Sequence, residues 1–259
     1  MTGHISCAHE TAIATLRLSN PGKLNAIDFA MWRELAETAR DLSSDDQVRC
    51  IVVRGDGHEA FAAGGDIGEL LNERDTVDRA MAYHAQVGAA LQALFDCRQP
   101  TIALIQGACI GGGLEIAAQC DLRICGESSR FGAPINKLGF SMYPGELAGM
   151  LRLAGPATMR EILLEGRMLS AAEALAKGLV TRVVADLQVA DEAYATARHI
   201  CAGAPLVARW HKQWIRRLQH EVPLSDEELR ASFAFLDTED YREGLSAFLD
   251  KRKPNFRGR

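Results

Sequence analysis

Two stretches, Phe61-Ala62-Ala63-Gly64-Gly65-Asp66-Ile67 and Gly107-Ala108-Cys109-Ile110-Gly111-Gly112-Gly113-Leu114-Glu115, decide how this sequence is read. Each opens a predicted helix. Glycine allows left-handed dihedrals and close backbone approach, and the first N–H groups of a helix lack intrahelical acceptors, so such a turn can donate to an anion. One turn of this kind is an ordinary helix start. Two facing a common point supply a pair of donors to a single oxygen, which is the arrangement of an oxyanion hole.

Outward from these turns the chain alternates strand and helix. Ala12-Ile13-Ala14-Thr15-Leu16-Arg17-Leu18 has the alternation of a half-buried strand, and Asn20-Pro21-Gly22-Lys23 supplies the loop after it. Asp28 caps a predicted helix running to about Asp41, with Met31, Leu35, Ala39 and Leu42 on its inner face. Cys50-Ile51-Val52-Val53 reads as a buried strand, closed by a turn at Gly55-Asp56-Gly57. A helical pattern from about Thr76 to Phe95 leads to a strand at Thr101–Ile105. After the triple glycine a short helix through Ala118 precedes the strand Leu122-Arg123-Ile124-Cys125, so the order is that of an α/β fold. From Pro144 onward the pattern is mostly helical, with Val180–Val184 strand-like and amphipathic helices near 205–217, 225–236 and 239–249. No fixed-period repeat or low-complexity linker is evident.

The 259 residues fit one large domain with a smaller helical appendage, and 47% hydrophobic with 24% charged residues is the composition of a globular enzyme or oligomer subunit. A net charge of -5 argues against nonspecific nucleic-acid binding, which needs a concentrated surplus of Lys and Arg. The 7 cysteines are an odd number without the spacing of a disulfide framework or zinc site, so they read as reduced, mostly buried thiols. No leader-like segment or membrane-length apolar run is present, and the expectation is a cytoplasmic protein without membrane contact. Other catalytic templates fail: Ser141 lacks the final glycine of a G-x-S-x-G elbow, and no phosphate-binding G-x-x-x-x-G-K-[ST] occurs. His4, His9, His58, His84, His199, His211 and His220 form no H-E-x-x-H pair, so no metal is expected, although His58 remains a residue that can approach a ligand.

The elements Asn20-Pro21 and Asn25-Ala26, the two glycine stretches, and the run from Glu243 to Phe256 closely resemble the enoyl-CoA hydratase/isomerase (crotonase) family, in order and over nearly the whole chain. The resemblance implies a crotonase-type α/β spiral of ββα units over 1–195 and a C-terminal helical trimerisation region over 196–259. It implies an acyl-CoA substrate, no cofactor beyond the coenzyme A moiety, and a homotrimer or dimer of trimers. The backbone N–H groups of Gly65 and Gly112 are the implied oxyanion hole. Ala26, Ala63, Asp66, Ile67 and Gly68 fall at coenzyme A positions, Gly68 standing where the family often has lysine, and Asp66 is also suited to cap its helix. Phe248 and Lys251 match positions that contact the nucleotide end, often across a subunit boundary. Ile135, Met142 and Tyr143 fall in the region of the acyl pocket, with the Tyr143 hydroxyl a candidate donor.

Hydratases of this family flank the substrate with two glutamates, one after the triple glycine and one after the next Phe-Gly-x-Pro. The first is Glu115. In Phe131-Gly132-Ala133-Pro134-Ile135-Asn136 the second position is Ile135. Adding water to a double bond calls for two proton-transferring groups, and isoleucine is not one, so acid/base chemistry is expected to depend on Glu115 and crotonyl-CoA hydration to be slow. Two alternatives stay open. Pro-Ile-Asn is similar to family decarboxylases of malonyl-type thioesters, although Gly65 lacks the polar side chain some of those place there; a catalytically silent acyl-CoA-binding subunit would also tolerate Ile135.

Overall fold

The structure, a computed structural model, describes residues 2–259. A hairpin of β1 (His4–Glu10) and β2 (Ile13–Ser19) leads through a loop to α1 (Phe29–Ser44) and β3 (Cys50–Gly55). Three passes follow: β4 (Ala60–Ala62) with α2 (Ile67–Glu73) and α3 (Val77–Asp96); β5 (Thr101–Ile105), β6 (Ala108–Ile110) and α4 (Gly112–Gln119); then β7 (Leu122–Gly126), β8 (Arg130–Gly132) and α5 (Pro144–Leu164). The chain continues through β9 (Leu169–Ser170), α6 (Ala171–Ala176), β10 (Arg182–Val184) and α7 (Val189–Cys201), and ends with α8 (Pro205–Leu218), α9 (Asp226–Ala231) and α10 (Glu239–Leu249).

The strands form a six-stranded sheet, order β1-β2-β3-β5-β7-β10, and a four-stranded sheet, order β4-β6-β8-β9. β3, β5 and β7 lie in the larger sheet and the strands that follow them, β4, β6 and β8, in the smaller one, so the chain winds as a spiral of ββα units. All pairings are parallel except β1–β2 and β8–β9.

Both faces of the larger sheet are covered, which explains the unbroken apolar runs in its central strands. Ile51, Val53, Ala103 and Ile105 point into the main core with Met31, Trp32 and Leu35 of α1 and Val87 and Leu91 of α3. Their alternates Cys50, Val52, Ile102 and Leu104 pack with Val189, Ala193 and Ala197 of α7. The division expected at 195/196 therefore falls inside a helix packed on the sheet. The first helix beyond it, α8, is tied down by Lys212, whose ammonium donates to the Gln99 carbonyl at 2.7 Å and pairs with Asp121 at 2.6 Å.

Several details differ from the sequence expectations for local reasons. Strand β1 lacked a pattern because nearly all of its residues are exposed. The helix capped by Asp28 runs on to Ser44, and the C-terminal strand is shorter than expected, at Arg182–Val184. The single helix expected over 225–236 is split: Ser225 and Glu228 start it as a capping box, the Ser232 hydroxyl donates back to the Leu229 carbonyl at 2.7 Å, and a separate 3-10 turn covers Ala234–Asp237. The long helix α5 is kinked where Gly155 takes φ 73° ahead of Pro156.

Two buried asparagines connect the spiral's first loop to the functional end of the fold. Asn25, at φ 57°, donates from its amide to the Asp56 and Ala60 carbonyls, both at 2.9 Å. Its Oδ1 accepts from Asn20 N–H at 3.3 Å, and the Asn20 amide donates to the Ala26 carbonyl at 2.7 Å. Asparagine tolerates the left-handed region better than most residues, and here its side chain also satisfies carbonyls that water does not reach. Asn25→Ala should cost about 1–3 kcal/mol, the penalty of leaving such groups unpaired, read from urea unfolding. An unchanged unfolding midpoint would show that the network is not stabilising.

Candidate active site

The two glycine turns meet. Ala60 and Ala62 of β4 pair with Ala108 and Cys109 of β6, which brings the C-terminal ends of both strands together. Beyond them Gly64 has φ 108° and Gly111 φ 47°, and a Cβ on Gly111 would lie 3.5 Å from the Gly64 Cα. The segment after Asn25 fixes the first turn from its other side: Ala63 N–H donates to the Leu24 carbonyl at 3.0 Å, Ile27 N–H to Gly64 at 2.7 Å, and Asp66 N–H to Ile27 at 2.9 Å. Among the described residues the N–H groups of Gly65 and Gly112 have no acceptor, and both glycines line one cavity of about 170 Å³. Gly112 is the first residue of α4, so its N–H carries the partial positive charge of that helix end.

Glu115, in the first turn of α4, is 5% exposed and lines the same cavity. Among the described residues its carboxyl group makes no hydrogen bond. Burial pushes the carboxyl well above its ordinary value, the negative charge of Glu146 pushes it further, and the Arg74 guanidinium offsets only part of this. The net effect favours the carboxylic acid, the form that can deliver a proton.

Of the other residues singled out in the sequence, Ala63, Ile67, Ile135 and Met142 line the cavity. Asp66 does not. It caps α2, accepting from Gly68 N–H at 3.0 Å, and forms an ion pair with Lys23. Ala26 is buried beside the first turn, while Gly68 is exposed on α2. Tyr143 stacks its ring on His84, with centroids 4.7 Å apart, and lies outside the cavity lining. Phe248 is 83% exposed and Lys251 is also exposed; neither reaches the cavity within this chain. His58 bonds to Gln106 at 3.0 Å and is likewise outside it.

A sequence model of the family described as enoyl-CoA hydratase/isomerase matches residues 8–259. The chain belongs to this family. It is similar to a crystal structure of an enoyl-CoA hydratase/carnithine racemase from Magnetospirillum magneticum, with 48% identity, TM-score 0.96, and coverage of 98% of this chain and 96% of that one. Among curated proteins it is 30% identical over 246 residues to the short-chain-enoyl-CoA hydratase of Clostridium acetobutylicum, covering 94% of each chain. It is 32% identical over 254 residues to the carnitinyl-CoA dehydratase of Salmonella paratyphi A, covering 95% of each. The spiral of ββα units is therefore the crotonase fold.

The sequence reading missed part of this family member's cavity wall. Trp32 of α1, Arg74 after α2, Tyr83 and Val87 of α3, Phe140, and Glu146 of α5 all line it. Burial pushes the Tyr83 phenol up to about 12, so it stays protonated. The Arg74 guanidinium lies over the Tyr83 ring at 4.9 Å and the Phe140 ring at 5.2 Å. Glu146 is 7% exposed, and its Oε1 lies 2.5 Å from Nδ1 of His84. A weak signal existed in Pro144-Gly145-Glu146, a helix start with an acid in its first turn, but that pattern alone marks only a favourable helix terminus.

The raised Glu115 carboxyl has a consequence for stability. Because the folded chain keeps a proton that the unfolded chain releases near 4.5, the stabilisation present below 4.5 is lost as pH rises through the higher folded value. Glu115→Gln should abolish that component, so the difference in urea midpoint between variant and unmodified protein should shift in the variant's favour as pH rises from 4.5. A pH-independent difference would show that Glu115 is not held protonated.

Proposed function

We propose that this protein acts on acyl-CoA thioesters by stabilising the enolate oxygen of the thioester with the N–H groups of Gly65 and Gly112, while Glu115 exchanges a proton with the acyl chain. The observation carrying this reading is that two unpaired backbone donors and a buried carboxyl group share one cavity. Donors already aimed at the oxygen need no reorganisation as charge develops, and loss of one such donor typically slows a reaction about 100- to 1,000-fold. Ala26, Ala63, Ile67 and Gly68, at the mouth of the first turn, would hold the pantetheine and adenine, with Asp66 fixing that turn through its cap and its pairing with Lys23.

Enoyl thioesters are the favoured substrate class, in keeping with relatives named as hydratases and a dehydratase. The apolar Ile135 on the cavity wall supports the second reading, decarboxylation of a malonyl-type thioester, where departing carbon dioxide leaves the enolate and no carboxylate pair is needed. Crotonyl-CoA, 3-butenoyl-CoA and malonyl-type thioesters, followed by absorbance and mass spectrometry, separate the two. Turnover of an enoyl substrate with loss of about 100-fold or more in Glu115→Gln is the expected result. Turnover of the malonyl-type substrate alone, unaffected by Glu115→Gln, would replace it with the decarboxylase reading. Failure of any thioester to bind would remove both.

The assembly belongs to the same reading. Ile215 and Leu218 of α8 and Leu245, Phe248 and Leu249 of α10 are exposed apolar residues in the C-terminal helices, and a cyclic trimer would cover such faces and bring Phe248 and Lys251 to a neighbour's coenzyme A. Light scattering should give a trimer or a multiple of it. A monomer at micromolar concentration would refute both the assembly and the shared binding site.

A further inference from the structure

Glu146 stands at neither of the positions where the sequence directs attention to a carboxylate, yet the fold delivers it to the cavity that holds Glu115. Its surroundings define how it is used. Arg74 Nη1 lies 3.3 Å from Nε2 of His84, and Nδ1 of the same ring lies 2.5 Å from Glu146 Oε1. A guanidinium has no acceptor, so Nε2 accepts from Arg74 and the ring proton sits on Nδ1, donating to Glu146. The imidazole is fixed by Tyr143, stacked at 4.7 Å and 15°, and by Tyr83, edge-on at 5.7 Å and 83°. Glu146 Oε2 accepts no hydrogen bond among the described residues. One oxygen is thus held and the other is free, a carboxylate arranged to receive a proton beside a Glu115 arranged to give one.

We propose that Glu146 is the second acid/base residue of this cavity, the proton acceptor paired with Glu115 as donor, and that His84 and Arg74 are the residues that position it. The proposal rests on the thioester-enolate reading above and specifies its chemistry. On a 3-enoyl thioester, Glu146 Oε2 takes a proton from C2. The C–H electron pair becomes the C1–C2 π bond while the carbonyl π electrons move to the oxygen facing Gly65 and Gly112. When the carbonyl re-forms, C2–C3 becomes the double bond and the C3–C4 π pair takes the proton of Glu115 at C4. The acyl chain gains and loses no atoms overall; the two carboxyl groups exchange protonation states and reset through solvent. Ile135, where a water-holding carboxylate would stand, suits this carbon-to-carbon transfer.

The two carboxyl groups make different predictions in deuterium oxide with 3-butenoyl-CoA. The unmodified protein should convert it to crotonyl-CoA. Glu115→Gln should lose that conversion about 100-fold or more yet still introduce deuterium at C2 of recovered substrate, because the acceptor remains. Glu146→Gln should lose both conversion and C2 exchange by about 100-fold or more while binding a nonreactive thioether analogue of the acyl-CoA within about threefold of the unmodified protein. His84→Ala should lower kcat with little change in KM, and His84→Asn, whose amide can replace the Nδ1–H donor, should restore part of it. Should Glu146→Gln fold poorly, the His84 pair tests the same assignment through kcat and exchange. Full C2 exchange in Glu146→Gln, or His84 variants with unaltered kcat, overturns the role of Glu146 and leaves the thioester reading standing. An unmodified protein that neither binds the thioether nor exchanges C2 overturns the thioester reading, and this assignment with it.

Discussion

The close approach of the two glycine turns is the constraint on which the rest of the site depends. A Cβ added to Gly113 would fall 2.4 Å from the Ala62 carbonyl oxygen, and one on Gly112 would fall 3.1 Å from the Trp32 ring. Side chains at these places would push α4 away from β4, and the cavity exists because nothing does. The pairing of β4 with β6 holds the turns in register, and the Asn20–Asn25 network braces the first turn from the loop behind it. Backbone geometry, fixed by short strands and buried amides, therefore places the two free N–H groups; no side chain has to be ordered for them to be in position.

The charged part of the cavity follows a different logic. Burial alone raises the Glu115 carboxyl, and a second buried carboxylate in the same space raises it further. Two such groups would be costly side by side if both were ionised. The cost is limited because Glu146 has a hydrogen-bond donor in His84, while Glu115, which has none among the described residues, is pushed toward its neutral form. Arg74, stacked on Tyr83 and Phe140, brings compensating positive charge while keeping its aliphatic and aromatic contacts.

The larger sheet was legible in the sequence because its central strands are buried on both faces and its helices carry clear caps, Asp28 and the glycine at 111 among them. The smaller sheet was not. Its strands β4, β6 and β8 have three residues each, too few for alternation to appear, and the spiral rested on family resemblance until the pairing was seen. Glu115 was found because it adjoins a glycine motif. Glu146 and His84 were passed over because their meeting depends on α3 packing against α5, a contact between segments 62 residues apart that no local pattern encodes. Ile135 lines the cavity, and Glu115 remains the only carboxyl at the two family positions; Glu146 brings another carboxyl to the same wall from a position that the sequence reading did not consider.

The covering of the larger sheet by α7 also bears on how the chain is made. The face formed by Val52, Ile102, Leu104 and Ile124 is complete once β7 is in place, but the helix that covers it, Val189–Cys201, is synthesised much later. During that interval a nascent chain carries an apolar parallel sheet with one uncovered face and an unpaired edge at β7, since β10 has yet to arrive. Parallel pairing across such long separations is intrinsically slow to form, and exposed surface of this kind is what chaperones bind and what drives association between partly folded chains. A chain halted before α7 emerges has its two glycine turns but lacks the helix that keeps the back of their scaffold out of water.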